Sequence, residues 1–160
     1  AFEAGISVAA SIADFFSRSE YIVDILAAGP DVYEVSAGRS LAYLENILDV
    51  LACLEPCYQP PFQAIGPHLF EKLAQITTVV AVLQEWDEGR QDFLRRVKAL
   101  GTAVRVIILR EGPTRLPWQG AAAELGELSQ LTPADVERLL AASARTPGGI
   151  AAPKAGGAHA

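Results

Sequence analysis

Apolar and polar positions along the chain fall into blocks whose spacing switches between the helical and the extended period. In the opening stretch, "AFEAGISVAASIADFF", Phe2, Ile6, Ala9, Ala13 and Phe16 share one face of a helix. Its small residues suit a helix lying close against a sheet. Two β-rich runs follow, "YIVDILAAG" and "DVYEVSAG", joined at Gly29-Pro30-Asp31, and they predict an antiparallel hairpin. From Arg39 to Leu54 the helical period returns, with Leu41, Leu44, Leu48 and Leu51 on one face. Four prolines in "EPCYQPPFQAIGP" then predict a long loop, and His68 to Gln75 a short helix.

The next block is the most informative. Residues 77 to 84 have the apolar, β-branched character expected of a strand buried on both faces. The run ends abruptly in Gln84, Glu85, Trp86 and Asp87, and an amphipathic helix is predicted from Asp87 to Leu100. Phe93, Leu94, Val97 and Leu100 form its inner face. Its acids (Asp87, Glu88, Asp92) lie early and its bases (Arg95, Arg96, Lys98) late, matching the helix dipole. Gly101 ends it and "TAVRVIIL" reads as a second buried strand. A strand, helix and strand with short connections predict a right-handed crossover and a parallel pair. Four principal strands are expected in all, near 20 to 28, 31 to 37, 77 to 84 and 103 to 110.

Composition narrows the function classes. The 160 residues are 51% hydrophobic, enough for a real core in one domain. Thirteen Lys and Arg against nineteen Asp and Glu give a net charge of -6, which opposes attraction to phosphate backbones, so nucleic acid is not an expected partner. Cys53 and Cys57 are too few for a disulfide scaffold or a zinc module and are expected to be ordinary thiols. No run reaches the roughly 20 apolar residues of a membrane span, and no membrane contact is expected from this segment.

Candidate chemistry is sparse. Asp87 is placed to cap the following helix, and Trp86 to lie at the carboxyl edge of the sheet, where open α/β sheets bind ligands. Glu85 is the unusual residue, because capping does not need an acid directly after a buried strand. Glu85, Trp86 and Asp87 are therefore the expected binding residues. His68 follows Pro67 at a helix start, and His159 lies in a Gly-, Ala- and Pro-rich tail. Ser36 and Ser40 have no nucleophile motif around them, and no dinucleotide or P-loop signature is present. No catalytic residue is expected.

The order of helix, hairpin "YIVDILAAGPDVYEVSAGR", helix "LAYLENILDVLACLEP" and then "VVAVLQEWDEGRQDFLRRVKALGTAVRVIIL" resembles the C-terminal part of the bacterial family known as domain of unknown function 58, which has a von Willebrand factor A-like fold. The likeness spans about residues 1 to 112, most specifically "WDEGRQDFLRRVKALGTAVRVI" and Gly38 to Pro56. "LTPADVERLL" resembles the short helix such proteins carry at their end, with Thr132 as cap, Pro133 in the first turn and Asp135 as the capping-box acid. The resemblance implies an α/β fold: a truncated von Willebrand factor A-like, Rossmann-like sheet with helices on both faces and its central first strand absent. On this reading residues 1 to 112 are a partial domain, 113 to 145 a linker and a short C-terminal helix, and 146 to 160 a disordered tail. The two strand pairs should then be separated by an open groove or close on each other, and the segment alone should be easily unfolded.

The family's Asp-x-Ser-x-Ser cation loop would follow that absent strand, and "EPCYQPPFQAIGP" lacks the expected Thr. Glu85 or Asp87 would complete a metal site only with the upstream loop, so no cofactor is expected here, and Mg²⁺ only in a full-length parent. The implied function is a non-catalytic protein-interaction module, not an enzyme, with a MoxR-type AAA+ ATPase as partner. The implied location is cytoplasmic, tethered to the inner membrane by an anchor outside the segment. The alternative is a divalent-cation-dependent binding protein or enzyme using Glu85 and Asp87.

Overall fold

A computed structural model describes residues 1–19, 21–36, 41–57 and 60–145. Glu20, residues 37–40, 58–59 and 146–160 lie outside the described residues. With them go the expected ends of the hairpin strands, the start of the following helix, Ser40, part of the proline-rich loop, and the tail with His159.

The chain is a mixed α/β protein. Helix α1 (Phe2–Arg18) leads into the hairpin strands β1 (Asp24–Ala28) and β2 (Val32–Ser36), and then come α2 (Leu41–Ala52) and α3 (Pro61–Lys72). After a 3-10 turn at Leu73–Gln75, β3 (Thr78–Leu83), α4 (Glu88–Ala99) and β4 (Ala103–Leu109) form the expected strand, helix and strand unit. The chain continues through α5 (Gln119–Leu125), β5 (Gly126–Leu131) and α6 (Pro133–Arg145). No helix among the described residues is long and apolar enough to cross a membrane.

The hairpin is antiparallel, with Leu26 opposite Glu34, and β3 pairs parallel with β4, with Val79 opposite Val104, both as expected. A fifth strand was not expected. In the stretch anticipated as linker, β5 pairs parallel with β4 and completes a three-stranded sheet in the order β3-β4-β5. Its sequence, "GELSQL", hides this because an edge strand half in water needs neither a continuous apolar run nor β-branched residues. Gly126 starts it at φ 120°, and a Cβ there would lie 3.0 Å from the Val104 carbonyl oxygen, so only glycine fits the approach.

Two helical layers cover the strands. On one face Val104, Val106 and Ile108 of β4 and the flanking Val79, Ala81 and Leu83 of β3 pack with Phe93, Leu94 and Val97 of α4 and Leu69 of α3. On the other face α1 approaches closely at Gly5, where a Cβ would lie 3.6 Å from Leu109 Cδ1 and 4.0 Å from Val82 Cγ1. The hairpin lies between the same layers. Its Ile25 and Val35 join Ala13, Leu44, Ile47 and Leu51 of α1 and α2, while Leu26 joins the core beneath α3.

Three local expectations need correction. Leu48 and Leu100 are exposed, at 39% and 66%, and Ile47 takes the inward place on α2. Leu48 sits just beyond the buried stripe of α2, and Leu100 is the cap residue that follows the last turn of α4. Much of the proline-rich stretch is helix, since Pro61 occupies the first turn of α3, where no amide hydrogen is needed, and Pro67 is tolerated within it.

Candidate functional site

The strand-to-helix junction at Glu85 to Asp87 is a saturated polar knot. Glu85 Oε1 accepts hydrogen bonds from the backbone N–H of Trp86 (2.9 Å) and of Arg115 (3.0 Å), and Oε2 pairs with the Arg110 guanidinium. Burial alone would raise the Glu85 pKa, but the two backbone donors and Arg110 outweigh it and hold the carboxyl below its ordinary value. That is the wrong direction for a general base at neutral pH. Asp87 caps α4 as expected, accepting from Arg90 N–H at 3.0 Å and pairing with the Arg90 guanidinium.

Trp86 is the clearest correction. It is 0% exposed and belongs to the main core cluster, so its ring cannot be a surface anchor. The chain turns inward between the two acids, which places the residue under the loop after β4, where its carbonyl accepts from Leu116 N–H at 3.1 Å. Its indole Nε1 is buried without a partner.

Sequence reasoning missed Arg110, Arg115 and Gln130. The signal for Arg110 was available in the ladder: Leu83 stands opposite Ile108, and Glu85 and Arg110 follow two residues further along their parallel strands. Gln130 ties the same loop down, accepting from Trp118 Nε1 at 3.0 Å and donating to the Gly112 carbonyl at 2.8 Å. The acids that looked available for binding thus hold a loop.

The hairpin carries a second polar cluster. Glu34 pairs with Lys72 and, at 3.1 Å, with His68 Nδ1, while Lys72 Nζ donates to Ser36 Oγ at 2.9 Å. A serine next to a lysine suggests an activated nucleophile, but Glu34 raises the Lys72 pKa, so the ammonium donates rather than takes a proton. Cys53 and Cys57 are free thiols, and no group of three metal-ligating side chains occurs among the described residues.

An open groove of about 2710 Å³ runs along β1 and β3 and the helices beside them. Consecutive residues of both strands border it, Asp24–Ala28 and Thr78–Leu83, which marks it as bounded by strand edges rather than by sheet faces. Neither strand has another strand on that side among the described residues. The two edges also run in the same direction. The end of β1 (Ala28) meets the start of α3 (Pro61), and Phe62 lies under the Arg90 guanidinium just beyond the end of β3. At the other end of α3, Lys72 contacts Ser36, opposite Asp24 at the start of β1, and the chain turns directly into β3. Both strands therefore run antiparallel to α3.

Comparison of the chain with protein-family models, with characterised proteins and with solved structures finds no match in any of the three.

Proposed function

We propose that the chain is a non-catalytic protein-interaction module whose contact surface is the groove between β1 and β3. The observation that carries this reading is the pair of strand edges facing one another across open space between two helical layers. Unpaired ladder groups between apolar walls are costly, and a polypeptide is the partner whose own N–H and C=O groups satisfy them. The junction residues fit a supporting role, because every oxygen of Glu85 and Asp87 already has a donor.

The groove lies where the von Willebrand factor A-like reading puts the absent central strand, which supports that fold; the location at the inner membrane through an anchor elsewhere rests on the resemblance alone. The partner implied by that resemblance, a MoxR-type AAA+ ATPase, is the first to test. Purified ATPase titrated against the chain should bind equally in EDTA and in Mg²⁺. Binding that required Mg²⁺ and disappeared in Glu85→Gln would overturn the reading in favour of a cation-dependent site.

A further inference from the structure

The three-stranded sheet has a further free edge, on the side of β5 away from the groove. We propose that this edge pairs antiparallel with β5 of a second copy of the chain, joining the two sheets into one about a twofold axis. Because β5 lies at the far end of the order β3-β4-β5, the pairing is independent of what fills the groove.

The groups that the edge offers follow from the ladder with β4. Arg110 N–H donates to the Leu131 carbonyl at 3.1 Å, and Leu131 stands opposite Leu109 in the parallel register. A strand residue turns its N–H and C=O to the same side, and the residues on either side of it turn theirs away. Glu127, Ser129 and Leu131 therefore face β4, while Leu128 and Gln130 direct their backbone groups outward. No strand meets that side among the described residues, and Gly126, Glu127 and Ser129 are exposed, so the edge is open to water.

Native edges are commonly guarded against their own kind by proline, lysine, an unpaired charge or a bulge. Along Gly126–Leu131 there is neither proline nor lysine, and the ladder runs without interruption. The one charge, Glu127, is neutralised within its own chain by Arg105 of β4 at 2.9 Å. A second copy can thus approach without burying a free charge.

The side chains also select a register. An antiparallel pair of identical strands about an axis perpendicular to the sheet keeps every side chain on its own face, so the axis passes through a residue. With the axis at Leu128, each leucine meets its copy on the face where it already packs against the main core, and the two exchange a pair of ladder hydrogen bonds. Glu127 and Ser129 then stand opposite one another on the other face, carboxylate against hydroxyl, twice by symmetry. An axis at Glu127 would oppose two carboxylates. An axis at Ser129 would set Leu128 against Gln130, whose amide is already tied to Trp118 and Gly112.

The test uses the whole chain. Sedimentation equilibrium from micromolar to submillimolar concentration should show a monomer and dimer in exchange. Residue-resolved hydrogen exchange should slow at the Leu128 amide as the dimer forms, while the Ser129 and Leu131 amides, which face β4, are protected at every concentration. Two substitutions at the exposed Ser129 check the register. Ser129→Glu sets a second carboxylate against Glu127 of the other copy at two places and should weaken the dimer about threefold or more. Ser129→Lys sets an ammonium against the same carboxylates and should leave the dimer as tight as that of the native chain or tighter. A chain that stays monomeric over the whole range would overturn the proposal. So would a dimer whose Leu128 amide still exchanges fast, because another surface would then hold it. Equal weakening by both substitutions would overturn the Leu128 axis and with it the proposed pairing.

Discussion

Replacing Trp86 by alanine removes the largest fully buried side chain among the described residues. The ring lies in one cluster with Phe93, Leu94 and Ile108, so the space it leaves is walled by side chains that α4 and β4 hold in place. Truncation of a buried Trp costs about 3–5 kcal/mol, a large share of the roughly 5–15 kcal/mol that holds a domain together. With a urea slope of about 2 kcal/mol per molar, the midpoint should fall by about 2 M. Trp86→Phe should cost far less, because it retains most of the apolar contact and deletes an indole N–H that is buried without a partner. Urea unfolding followed by far-UV circular dichroism, with Trp118 fluorescence as the second probe, measures both variants. If Trp86→Ala moved the midpoint by less than about 0.5 M at unchanged slope, the ring would not be a core element and the surface-anchor role would return.

Two further predictions concern the acids beside it. Asp87→Ala should destabilise the protein by about 1 kcal/mol and Asp87→Ser should restore most of that, since a hydroxyl also accepts from the Arg90 amide; equal losses in both variants, measured by urea unfolding, would exclude the cap as the cause. Glu85 has a folded-state pKa below its unfolded value, so its contribution is present above the ordinary carboxylate range and is lost as pH falls through the depressed value. The stability gap between the native chain and Glu85→Gln should therefore be constant near neutral pH and shrink below about pH 4, and a gap independent of pH would contradict the ion-paired carboxylate.

The sequence carried the strongly periodic elements and lost the marginal ones. β3, α4 and β4 were legible because runs of β-branched residues mark the strands and α4 shows a clean amphipathic stripe, but neither strand is buried on both faces: β3 is only half-buried, and Ala103 and Arg105 of β4 are exposed. β5 was not legible, because "GELSQL" draws its place from pairing with β4, which no local pattern encodes. The same holds at the junction. Asp87 as a cap is a local property and was readable. The roles of Glu85 and Trp86 depend on Arg110, Arg115 and Leu116, which lie about 25 to 30 residues further on. An acid and an aromatic at a strand end look alike in sequence whether they face solvent or a returning loop. An open groove was one of the two arrangements the resemblance implied, the other being closure of the strand pairs on each other, and the groove is bordered by strands that run the same way.

Residue-resolved hydrogen exchange on the isolated chain tests the open groove most directly. β4 is flanked on both sides, so amides throughout Val104–Ile108 should be protected. Along Thr78–Leu83 protection should alternate, slow where the amide hydrogen faces β4 and fast where it faces the groove, and the same alternation should appear along Ile25–Ala28 beside β2. Uniform protection of β3 would mean that its edge is already paired, and the account of two open strand edges would be wrong.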